Sequence, residues 1–91
     1  MLVVKTIIIK NKQGLHARPA ALFVQIANKF NCDIIVSKGR QKVNGKSIMG
    51  IMMLEAGSGA RVSIAANGDD AEEAMKELEK LLVSDIEDLV I

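Results

Sequence analysis

Along residues 3–9, VVKTIII, apolar positions fall on alternate sides, Ile7 and Ile9 on one face and Ile8 on the other, the pattern of a strand packed mainly on one side. The run breaks at NKQG, and from Pro19 to Phe30 the period lengthens: Leu22, Ile26 and Phe30 recur every fourth residue with Phe23 and Ala27 beside them, which predicts a helix. Residues 32–39 and 40–45, CDIIVSKG and RQKVNG, read as two short strands turning at Gly39. KSIMGIMMLEAG then predicts a short helix with Ser47 as N-cap and Gly57 as its stop, weakened by Gly50. In ARVSIAANG, Val62 and Ile64 point one way and Ser63 the other, giving a fourth strand. The last helix is the plainest, with Asp69 as expected cap, Glu72 three residues on, and Ala71, Ala74, Met75, Leu78, Leu81 and Leu82 as its stripe. The tail SDIEDLVI either prolongs that helix through Ile86 and Leu89 or meets another copy of the chain.

The order β-α-β-β-α-β-α, with one apolar face per strand and amphipathic helices, predicts an α+β two-layer sandwich: an antiparallel sheet with helices on one face, residues 1–91 forming one domain. Hydrophobic residues make up 49% and charged residues 25%, a globular balance. Twelve basic against eleven acidic residues leave no basic surplus, and two Phe with no Trp or Tyr provide no stacking platform, so a small RNA-binding domain is disfavoured. One cysteine makes no internal disulfide, and Cys32 with His16 is too few ligands for zinc, so no metal is expected and a cytoplasmic setting is. Cys32, between helix and strand, reads as a packed small hydrophobe. The apolar N-terminal run is too short to span a bilayer.

Chemistry concentrates in residues 13–25, QGLHARPAALFVQ, which hold the only histidine and the only proline. Proline is favoured in a helix's first turn, where its missing N–H would be unpaired, so the helix begins within a residue or two of His16. Gly14 supplies a permissive turn just before it, which places the imidazole in a loop at the mouth of the helix. Exposed backbone amides there suit a phosphate or carboxylate, and Arg18 adds a planar fork of donors. A nucleophilic ring beside an oxyanion cradle is half of a phosphoryl-transfer site. Taken alone, such a histidine is most often a surface or capping residue, and Arg18 a solvated charge. No carboxylate pair, serine triad, glycine-rich nucleotide loop or Cys-x-x-Cys appears, so autonomous catalysis and a bound cofactor are not indicated.

GLHARPAALFV together with VNGKSIMGIMML resembles the histidine-containing phosphocarrier (HPr) family of the bacterial phosphoenolpyruvate-dependent sugar phosphotransferase system, from the first strand to about Leu82. The resemblance implies an open-faced β-sandwich with a four-stranded antiparallel sheet and three helices. It implies that His16 accepts a phosphoryl group on Nδ1 from phospho-enzyme I and passes it to sugar-specific IIA domains, with Arg18 and helix-start amides such as that of Ala17 holding it. It also implies that Ser47 is phosphorylated with ATP by HPr kinase/phosphorylase, the product then assisting a catabolite control repressor. Without the resemblance, Ser47 would read as a plain cap.

Apolar residues at helical spacing usually belong to a core, but a short helix cannot bury all of Ile48, Met49, Ile51, Met52, Met53 and Leu54. Some should form an adaptable methionine-rich surface. The resemblance places Ile48, Met49 and Met52 on the partner-binding face, with Ala21 at its rim, in transient interfaces of a monomeric carrier. Two rival readings share the family. Purely regulatory homologues of the catabolite-repression type carry glutamine where this chain has His16, which argues against that role. A carrier in a nitrogen-related relay would keep His16, but the KSIMG motif favours the sugar system.

Overall fold

The computed structural model describes residues 1–84; the proposed roles of the tail lie outside the described residues. Seven elements follow in order: β1 (Leu2–Ile8), α1 (Ala17–Asn28), β2 (Asp33–Lys38), β3 (Gln41–Asn44), α2 (Ile48–Met53), β4 (Arg61–Asn67) and α3 (Ala71–Val83). The strands form one antiparallel sheet in the order β1-β4-β2-β3. This is the α+β two-layer sandwich that the alternation of the strands predicts, in the open-faced form that the family resemblance implies.

The period-two pattern decides which face is covered. Ile7 and Ile9 are buried and Ile8 is exposed; Val62, Ile64 and Ala66 of β4 and Ile34 and Val36 of β2 join the same core. On the opposite face the register sets Val4, Ala65 and Ile35 in one row across β1, β4 and β2, and Leu2, Val4, Ile8 and Ile35 remain exposed there. Lys5, on the helix side with Ile7, reaches Glu79 of α3 at 2.6 Å. All six stripe residues of α3 are buried. In α1 the buried set is Pro19, Ala20, Phe23 and Ala27, while Leu22 and Ile26 are only partly covered. The every-fourth-residue pattern therefore finds the right helix but centres its face one residue too early, because Phe23 is the residue fully enclosed.

Three local expectations need correction or explanation. The cap of α3 is Asp70, not Asp69, and its side chain does not bond its own helix. Its carboxylate instead accepts from the N–H of Asn31 at 2.8 Å and of Cys32 at 2.9 Å, closing the α1–β2 loop onto the β4–α3 loop. Those bonds, the Asn31 amide first, hold the Asp70 carboxyl below its usual value, whereas burial and then the neighbouring Asp70 push the Cys32 thiol up. Helix α2 stops at Leu54, and the left-handed residue after it is Glu55, φ +49°, rather than Gly57. Glu55 N–H donates to Met52 O at 3.1 Å, so a glutamate takes the place where glycine is usual. Gly50 is tolerated in α2 because the helix lies close over β3: a Cβ there would stand 3.2 Å from Val43 Cβ and 3.3 Å from Asn44 O. The Gly39–Arg40 link carries positive φ at its first position, +59°, as a tight hairpin requires.

Candidate functional site

The turn that carries His16 is anchored from two sides. From α3, the carbonyl of Leu82 accepts from the N–H of Lys10 at 2.8 Å and of Asn11 at 3.2 Å, so the segment after β1 closes the C-terminal end of that helix. From the α2–β4 loop, Ala56 O accepts from Leu15 N–H at 2.7 Å, and Leu15 is fully buried. Gly14, φ +65°, allows this contact: a Cβ on it would lie 2.7 Å from Ala56 O and 2.7 Å from Gly57 Cα. The two loops thus meet backbone to backbone, and no other residue type fits at position 14.

Beyond that anchor, His16 is exposed and extended, φ −117° and ψ 155°, and occupies the N-cap of α1. Its ring makes no capping hydrogen bond. Its Nε2 lies 3.9 Å from the position a Gly57 Cβ would take, so that edge of the ring faces the α2–β4 loop. Gly57, expected as a helix stop, is instead a wall of this site. Ala17 follows with φ +47°, a left-handed conformation rare for a side-chain-bearing residue. Ala17 and Arg18 are exposed, Pro19 is buried, and the first turn of α1 contains no acidic residue. The first amides of a helix have no intrahelical acceptor and sit at the positive end of its dipole. Together with the Arg18 guanidinium two residues on, they can receive a doubly charged oxyanion.

Ser47 is half-buried at the N-cap of α2. Its Oγ accepts from Gly50 N–H at 3.2 Å, and its own N–H donates to Asn44 O at 3.1 Å. The hydroxyl proton is not used in that bond. The adjoining backbone is tied to the end of α1: Asn28 Nδ2 donates to Lys46 O at 3.2 Å, and Lys46 Nζ donates to Phe30 O at 2.7 Å.

Helix α2 divides as its length demands. Ile51 and Leu54 are buried, while Ile48, Met49, Met52 and Met53 are exposed at 39%, 70%, 48% and 62%, which leaves an apolar surface next to α1. Ala21 is half-covered. Sequence reasoning did not connect Leu15, Ala56 or Gly57 with the histidine, although they shape its seat, because they contribute backbone and packing rather than functional groups. No helix among the described residues is long and apolar enough to cross a membrane.

Residues 3–84 match the family model described as the PTS HPr component phosphorylation site. The chain is 51% identical over 77 residues to the HPr-like protein Crh of Halalkalibacterium halodurans, covering 85% of this chain and 92% of that one. It is 40% identical to the phosphocarrier protein HPr of Treponema pallidum, over 96% of this chain and 99% of that one. The crystal structure of a phosphocarrier protein HPr from Bacillus anthracis superposes with a TM-score of 0.87 at 49% identity, covering 89% of this chain and 96% of the other.

Proposed function

The chain belongs to the HPr family of phosphocarriers of the phosphotransferase system, and on that premise we propose that His16 accepts a phosphoryl group from phospho-enzyme I and donates it to sugar-specific IIA domains. The observation that carries this reading is an exposed imidazole at the N-cap of α1, free of any capping bond, at the start of a helix whose first turn contains no acidic residue. As the Nδ1 lone pair forms its bond to phosphorus, the donor's bond to phosphorus breaks and the electron pair leaves with the donor. The equatorial oxygens are received by the amides at Ala17 and Arg18 and by the Arg18 guanidinium, which hold their positions before and after transfer. The second transfer runs the same step with His16 as leaving group.

The exposed surface of Ile48, Met49 and Met52, with Ala21 at its edge, is the docking face in this reading. Unbranched methionines repack against different partners, which suits a monomeric cytoplasmic carrier that must release each of them. Ser47 is the regulatory site. Transfer of the ATP γ-phosphoryl to Oγ, by a kinase of the HPr kinase/phosphorylase type, sets two negative charges at the start of α2. The helix end tolerates them, but the apolar docking face beside them is weakened for enzyme I and opened to a basic partner such as a catabolite control repressor. A purely regulatory role is the second reading, favoured by the similarity to Crh; His16 and its open cradle weigh toward the carrier.

The test is to incubate the protein with phosphoenolpyruvate, magnesium and enzyme I and to follow intact mass and phosphorus NMR. An acid-labile phosphoryl group on the native chain, absent from His16→Ala, is the expected outcome. If no phosphohistidine forms with enzyme I of the same source, the carrier reading fails and the regulatory one stands.

A further inference from the structure

Two residues other than glycine hold a positive φ among those described, Ala17 at +47° and Glu55 at +49°. They flank one hydrogen bond, Leu15 N–H to Ala56 O at 2.7 Å. Ala17 lies two residues beyond its donor, and Glu55 immediately precedes its acceptor. Such conformations persist only where the surroundings over-determine them.

On the Glu55 side the side chain that reaches the turn is that of Lys38. This lysine ends β2, where pairing with Gln41 across the hairpin holds its backbone, and it is half-buried. Its Nζ donates to Leu54 O at 3.1 Å and to Glu55 O at 3.2 Å, two carbonyls at the negative end of α2. Glu55 O belongs to the rigid peptide unit that leads into Ala56. Fixing that oxygen therefore limits where the Ala56 carbonyl can point, and Ala56 carries Leu15, after which comes His16.

We propose that Lys38 is a positioning residue for His16. Its ammonium holds the left-handed turn at Glu55, the turn aims the Ala56 carbonyl, and that carbonyl sets the height and direction of the His16 turn. The inference rests on the reading of His16 as phosphoryl acceptor. Without the ammonium the Glu55 turn relaxes toward negative φ, the Leu15–Ala56 bond loosens, and the imidazole samples orientations that are not in line with the donor. Nearby Gln41 serves as a natural control. Its Nε2 donates to Met53 O at 3.0 Å, so it binds the same helix end without touching the Glu55–Ala56 peptide.

The experiment compares the full chain with Lys38→Met, Lys38→Arg and Gln41→Ala as acceptors from phospho-enzyme I, and measures the deuterium exchange of the Leu15 amide in each. Lys38→Met is expected to lower kcat about tenfold with KM little changed, because misalignment rather than docking is affected. Its Leu15 amide should exchange about tenfold faster, through local opening. Lys38→Arg, which keeps donors for both carbonyls, should restore both readouts, and Gln41→Ala should match the unaltered chain. An unchanged kcat in Lys38→Met, a rise in KM alone, or an equal loss in Gln41→Ala would overturn the proposal. Should Lys38→Met not fold, Lys38→Gln takes its place under the same criteria. If the unaltered chain accepts no phosphoryl group, the reading of His16 falls, and Leu15 exchange alone then decides the role of Lys38.

Discussion

The two long helices begin in opposite ways. Helix α3 opens with Asp70 at the cap and Glu72 and Glu73 in its first turn, so its positive end is surrounded by carboxylates. Helix α1 opens with an imidazole that caps nothing, contains no acidic residue in its first turn, and has Arg18 there instead. One start has been used for structure, since Asp70 also fastens the α1–β2 loop. The other has no acidic side chain in its first turn, and in the proposed function a phosphoryl group completes it. The short α2 lies between these extremes, because Ser47 satisfies the Gly50 amide yet keeps a hydroxyl proton to lose. In the proposed function, a helix end serves as a phosphoryl site by what its first turn omits as much as by what it contains.

The largest expected effect comes from making α1 resemble α3. Arg18→Glu removes the guanidinium and adds a repelling carboxylate, and should lower kcat/KM for phosphoryl acceptance by about 100-fold or more, measured with phospho-enzyme I. A loss under threefold would mean that the contrast between the two starts has no bearing on transfer. Next is Ser47→Ala, which deletes both the cap and the proposed phosphorylation site. It should cost about 1 kcal/mol in chemical denaturation and leave a protein that a kinase of the HPr kinase/phosphorylase type does not label. The smallest is at α3. The lowered folded-state pKa of Asp70 means that its contribution to stability is present above the unfolded carboxylate value and is lost as pH falls through the folded one. Denaturation midpoints measured below about pH 4 should therefore fall less steeply with acid in Asp70→Asn than in the unaltered chain.

What the sequence discloses follows the physics of each element. The strands were legible because burial of one face forces alternation, as at Ile7, Ile8 and Ile9. Helix α3 was legible because all six apolar residues of its stripe face one core. Its cap was misplaced by one residue since DDAE offers two adjacent aspartates, and only the loop at Asn31 and Cys32 selects Asp70. Gly57 was misread as a helix stop because glycine marks both stops and close approaches, and the close approach to Gly14 is a contact between residues far apart in the chain. The location of His16 at a helix mouth was readable from Pro19 and Gly14. The seat beneath it was not, since Leu15 and Ala56 meet through a backbone amide and carbonyl that every residue possesses, and only the fold brings the Lys38 ammonium to the Leu54 and Glu55 carbonyls.

The register of β1 sets a schedule for how the molecule is made. Among the described residues this strand pairs only with β4, Leu2 opposite Asn67 and Ile8 opposite Arg61, and the Leu15–Ala56 bond also joins distant parts of the chain. Contacts between residues so distant in sequence form slowly, since a long loop must close before any of them is rewarded. As the polypeptide leaves the ribosome, the apolar first strand therefore has no partner until β4 has emerged, and His16 is synthesised long before its seat exists. A nascent or truncated chain that ends before β4 would carry the histidine without its geometry.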